Sequence, residues 1–149
     1  MPNSVRTYDL HDIADFPIVY ATEREREPGT AEQWQWEMET LIARGDAFVI
    51  IFPSNLYDED LTQTDEQKRR AQEGRKLRAI WLKENRRALA AVCKGLISIQ
   101  ENRVKRALEA AKSAMLEKAF GVPFKVAASQ AEAEELGRTL VGTHHSGMA

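Results

Sequence analysis

At 149 residues the chain can bury a core of its own and does not need a second domain. Hydrophobic residues make up 43% and charged residues 30%, which excludes a disordered or fibrous chain, and a formal net charge of −2 excludes a globally basic nucleic-acid binder. The lone cysteine, Cys93, cannot form an internal disulfide and lies in an apolar run, where a small buried hydrophobe is expected.

Residues 1–16 lack the apolar centre of a secretory signal, and no apolar run is long enough to cross a bilayer, so a cytoplasmic protein is expected. These first 16 residues read as an N-terminal segment or edge strand, residues 17–141 as a single α/β domain and residues 142–149 as a flexible tail. Pro17 to Thr22 is rich in β-branched and aromatic residues and predicts a strand, with Val5 to Leu10 as its hairpin partner. Alternating charges from Glu23 to Glu27 then run into a Pro28-Gly29 turn. Thr30 with Gln33 has capping-box spacing, and Ala31, Trp34, Met38, Leu41 and Ile42 recur at helical spacing up to Gly45.

Ala47 to Phe52 is a continuous apolar run, as expected of a central strand covered on both faces. After a polar loop from Pro53 to Gln63, Thr64 and Gln67 repeat the capping-box spacing. They open a helix to about Arg87, with Leu77, Ile80, Trp81 and Ala88 on its inner face. Cys93 to Ile99 predicts a further strand. From Glu101 an amphipathic helix runs to Gly121, with Val104, Leu108, Ala111, Met115 and Ala119 as its buried stripe. Pro123 to Ala128 predicts the last strand, and Ser129 with Glu132 caps a helix to about Leu140.

Strands alternating with helices predict parallel strands joined by right-handed crossovers, hence an α/β fold. Ligands of such sheets bind at the strand carboxyl ends, which here would gather Glu23 to Gly29, Pro53 to Gln63, Gln100 to Asn102 and Ser129. The order of elements, the long helix after the central strand and the ending Phe124-Lys-Val-Ala-Ala-Ser-Gln-Ala-Glu-Ala-Glu-Glu-Leu136 resemble STAS domains, the fold of anti-sigma-factor antagonists and sulphate-transporter tails. The resemblance covers roughly Pro17 to Leu140, and Ile51 to Arg70 is similar to small bacterial STAS-like proteins. It implies a mixed, mostly parallel sheet of four to five strands with about four helices, and a binding or regulatory role. In the antagonist branch a serine after the central strand, usually preceded by aspartate, is phosphorylated. Ser54 is the nearest serine here, no Asp-Ser pair opens the helix, and Thr64 is accounted for by capping.

Three constellations stand out. Lys68, Arg69, Arg75, Lys76, Lys83, Arg86 and Arg87 project onto one arc of the long helix, either as a solvated face or as a docking stripe for phosphates, anionic lipid headgroups or an acidic protein. Tyr57, Asp58, Glu59 and Asp60 form an acidic loop that, with Ser54 and Thr62, lies at the ligand-prone sheet edge. Trp36 stands two residues from Trp34 and so on the other side of its helix. It is either a partner or homodimer anchor, or a flank covered by Tyr8 or Phe16. His11, His144 and His145 make no ligand set with Cys93, and no metal, cofactor, phosphate-loop or nucleophile-elbow motif is present, so no catalytic residue is assigned.

The leading expectation is a non-enzymatic STAS-like regulatory or binding module that recognises a protein partner, a second copy of itself, or a small anionic or lipid ligand. A small enzyme or biosynthetic accessory protein using the loop 57–60 is the alternative, and nucleic-acid binding through the helix 64–87 ranks last.

Overall fold

The computed structural model describes residues 7–22, 29–53 and 64–146, with side chains as far as 142. Their apolar runs pair into a five-stranded sheet of β1 (His11–Asp12), β2 (Ile18–Ala21), β3 (Phe48–Phe52), β4 (Cys93–Ile99) and β5 (Phe124–Ala127), lying side by side in chain order. β1 is antiparallel to β2 and every later pairing is parallel. The fold is therefore α/β with a mixed, mostly parallel sheet.

The helices are α1 (Ala31–Ala43), α2 (Asp65–Glu84), α3 (Arg86–Val92), α4 (Arg103–Phe120) and α5 (Gln130–Ser146). Crossovers of one hand that step in one direction across a sheet leave their helices on one face. Trp34, Met38 and Leu41 of α1, Trp81 of α2 and Leu89 and Val92 of α3 accordingly pack on Val19, Phe48, Ile50 and Leu96. The alternate strand residues Ile18, Val49, Ile51, Ile97 and Ala127 point the other way, where α5 covers them with Ala133 and Val141. Tyr20 adds a hydrogen bond from its hydroxyl to the Glu134 carboxylate of α5. Burial of the phenol, reinforced by that carboxylate, pushes Tyr20 up to about 12.

Several elements differ from the sequence expectation. Among the described residues the antiparallel partner of β2 is His11–Asp12, next to the expected Val5 to Leu10, of which residues 5 and 6 lie outside the described residues; Thr22 N donates to Leu10 O beyond the strand end. Thr30 precedes α1 without the side-chain cap bond of the expected capping box, and Gln33 Nε2 donates to Thr7 O and Glu37 Oε2. The long helix breaks at Asn85, whose side-chain amide and backbone N–H both donate to Trp81 O at 2.9 Å. The break turns Leu89 and Val92 into the core and leaves Ala88 exposed, along with Leu77 and Ile80. α5 runs to Ser146 instead of about Leu140.

The largest difference is α4. Val104, Leu108 and Met115 are 70%, 59% and 72% exposed. The face turned to the sheet carries Arg106, Glu109, Ser113 and Glu117, with Phe120 at its end. Polar tethers set this rotation. Arg106 donates to Gln100 O, Ser98 Oγ donates to Glu109, and Phe124 N donates to Glu117.

Candidate functional site

Polar and small residues beneath α4 do not fill the space between α2, α4 and the sheet, and a cleft of about 640 Å³ remains there, within the range of small-molecule sites. Its floor is apolar, from Ile50 and Phe52 of β3 to Leu96 of β4 and Phe124 of β5. Leu82 of α2 and Leu108, Leu116 and Phe120 of α4 continue that surface up the walls. Pro53 and Gln100, at the carboxyl ends of β3 and β4, lie at its edge, which is where an open parallel sheet presents its ligand side.

Cations surround this apolar surface. Arg75 and Arg78 come from α2 and Lys105 and Lys112 from α4, and among the described residues none of the four forms an ion pair. Arg75, Lys105 and Lys112 are exposed, so they stand where the cleft meets solvent. Within the wall, Glu109 Oε1 accepts Ser98 Oγ at 3.2 Å, while its Oε2 is buried with no hydrogen-bond partner among the described residues. A buried carboxylate oxygen left this way costs free energy until a donor reaches it.

The β1 end of the cleft is lined by His11. Glu37 of α1 is fully buried and accepts His11 Nδ1 at 2.8 Å, the backbone N–H groups of Asp9 and Leu10, and Gln33 Nε2 at 2.7 Å. Burial alone would raise this carboxyl, but the hydrogen bonds from His11, Gln33, Leu10 and Asp9 outweigh it and hold Glu37 below its ordinary value. Since a carboxylate only accepts, Nδ1 carries the proton in this hydrogen bond.

Of the residues singled out by sequence, Ser54, Tyr57, Asp58, Glu59, Asp60 and Thr62 lie outside the described residues. The basic arc is divided. Arg75 reaches the cleft, Lys68 is half-buried, Arg69 pairs with Glu66 at 2.7 Å, and Lys76 and Lys83 are exposed. Arg86 and Arg87 fall on α3 beyond the break, and Arg86 lies against Gly121. Trp36 packs on Tyr8 with ring centroids 5.8 Å apart, so the N-terminal segment does cover it. Thr64 makes the reciprocal capping box with Gln67. Cys93 is buried, and that burial pushes its thiol up to about 12.

Sequence reasoning missed His11, Glu37, Arg78, Ser98, Lys105, Glu109 and Lys112. Glu37 had a readable signal, because it falls on the same helical arc as Trp34 and Leu41, and an ionisable residue inside an apolar stripe calls for a partner. Among the described residues no group of three His, Cys, Asp or Glu side chains could hold a metal ion. No protein-family model matches the chain, and neither a curated protein nor a solved structure matches it.

Proposed function

We propose that the protein is a cytoplasmic, STAS-like binding module whose ligand is a small amphipathic anion, an acyl chain bearing a carboxylate or phosphate, held in the cleft between α2, α4 and the sheet. The observation that supports this reading is the sorting of chemistry there, with continuous apolar surface inside and, around it, the cations Arg75, Arg78, Lys105 and Lys112, which form no ion pair among the described residues. An acyl chain leaves water for the apolar floor at roughly 0.8 kcal/mol per buried methylene, while the head group stays among the cations. Glu109 Oε2 adds a requirement, because a ligand hydroxyl or N–H would satisfy an oxygen that no described residue does. Such a module reports the presence of its ligand through the helices that enclose it, in keeping with a regulatory role.

Displacement of a fluorescent fatty acid tests the reading. A long-chain fatty acid or lysophospholipid should displace the probe, and the uncharged alcohol of the same chain should do so more weakly. Lys105→Glu with Lys112→Glu should weaken the anionic ligands by roughly tenfold or more and leave the alcohol unchanged, since each charge contact is worth about 1.5–3 kcal/mol. Equal affinity for acid and alcohol, or no displacement at all, would refute it.

A further inference from the structure

We infer that the outward face of α4 docks the protein on an anionic lipid surface. Val104, Leu108 and Met115 lie one above another along the helix and are largely exposed, and Leu116 is exposed beside them. Scattered apolar side chains on a surface need no explanation, but a contiguous stripe along an 18-residue helix does.

Charge identifies the occupant. The two carboxylates of α4 lie on the side away from this stripe, Glu109 held by Ser98, and Glu117, its side chain 37% exposed, held by Phe124 N and Lys125. The charged residues of the helix that are exposed overall are Arg103, Lys105, Lys112 and Lys118, all cationic. An apolar stripe bordered only by cations is the pattern of a helix lying in the plane of a bilayer surface, apolar side chains among the acyl chains and cations among anionic head groups. A second copy placed on the same stripe would bring like charges together. No helix of the described residues is long and apolar enough to cross a membrane, so α4 lies on the surface and does not span it.

Leu108 belongs both to this face and to the wall of the cleft. Docking would thus set an entrance of the cleft against the lipid. The surface itself is argued from α4 alone, so it stands or falls separately from the ligand proposed above.

Co-sedimentation of the full chain with vesicles decides the matter. With vesicles of phosphatidylcholine and phosphatidylglycerol the protein should pellet, and added salt should loosen it. With phosphatidylcholine alone it should stay largely in solution. Val104→Glu with Met115→Glu changes two exposed side chains that do not line the cleft, and should lower partitioning by roughly tenfold or more while the fatty-acid probe still binds. Arg103→Gln with Lys118→Gln should lower it by roughly tenfold as well, with a shallower salt dependence.

Failure of the wild type to pellet with anionic vesicles would overturn the inference, as would equal pelleting of V104E/M115E. A wild-type dimer in sedimentation equilibrium that V104E/M115E makes monomeric would assign the face to a second copy instead. Probe binding without vesicle binding would defeat this inference alone, and the reverse would defeat only the ligand reading.

Discussion

Glu37 shows how one buried carboxylate organises the start of the chain. Its oxygens take hydrogen bonds from His11 and from the backbone of Asp9 and Leu10, and so tie β1 to α1. Glu37→Ala would leave these donors without an acceptor inside the protein, and should lower unfolding free energy by about 3 kcal/mol or more, read from the urea midpoint at constant slope. Because the folded carboxyl is held below its ordinary value of 4.5, its contribution is present at neutral pH. The contribution fades as pH falls below that value and through the lower folded one, so Glu37→Ala should flatten this part of an acid-unfolding profile. Cys93 offers a simpler test. With its thiol raised to about 12 and buried, a thiol reagent at neutral pH should modify it only on unfolding, and rapid labelling of native protein would contradict that environment.

At the level of elements, the strands were the most legible feature, because apolar runs such as Ala47 to Phe52 have few alternatives to a covered strand. The helices were legible in position and less so in orientation. Periodicity shows which residues share a face, and Val104, Leu108 and Met115 do share one. It does not show which way that face points. Tethers from Ser98, Gln100 and Phe124 turned α4 against the apolar pattern, and these depend on residues brought together only by folding. The break at Asn85 was hidden for a similar reason, since a side chain competing for Trp81 O leaves no trace in an apolar pattern. α5 carries its own constraint at Gly137, where an added Cβ would stand 2.9 Å from Val49 Cγ2 and 3.1 Å from Ile18 Cδ1. Val49 is β-branched and buried in β3, so it cannot rotate away cheaply. Gly137→Ala should therefore lower stability by about 1 kcal/mol, overpacking of about 1–3 kcal/mol exceeding a helix-propensity gain of about 1 kcal/mol. A raised melting temperature would show that α5 can lift from the sheet at no cost.

On the scale of the whole molecule, the proposed function rests on an uneven division of labour between the two faces of the sheet. Among the described residues one face is covered by α5, with Gly137 and Ala133 allowing close approach. The other carries α1 to α4, and it is well filled near Trp34 and Trp81, whose rings meet edge to face at 5.2 Å. Beneath α4 the filling stops and the cleft begins. Of the residues expected at the strand carboxyl ends, Pro53 and Gln100 line this cleft. The cations were legible only as a stripe on one helix, whereas the cleft draws Arg75 and Arg78 from that helix and Lys105 and Lys112 from another. The occupation of this cleft by an amphipathic anion is tested most directly by amide chemical shifts followed during titration with a long-chain fatty acid. Saturable shifts are expected at Leu82, Leu96, Ser98 and Leu116, with Ala133 to Val141 of α5 unmoved, and a spectrum that does not change, or changes only along α5, would contradict it.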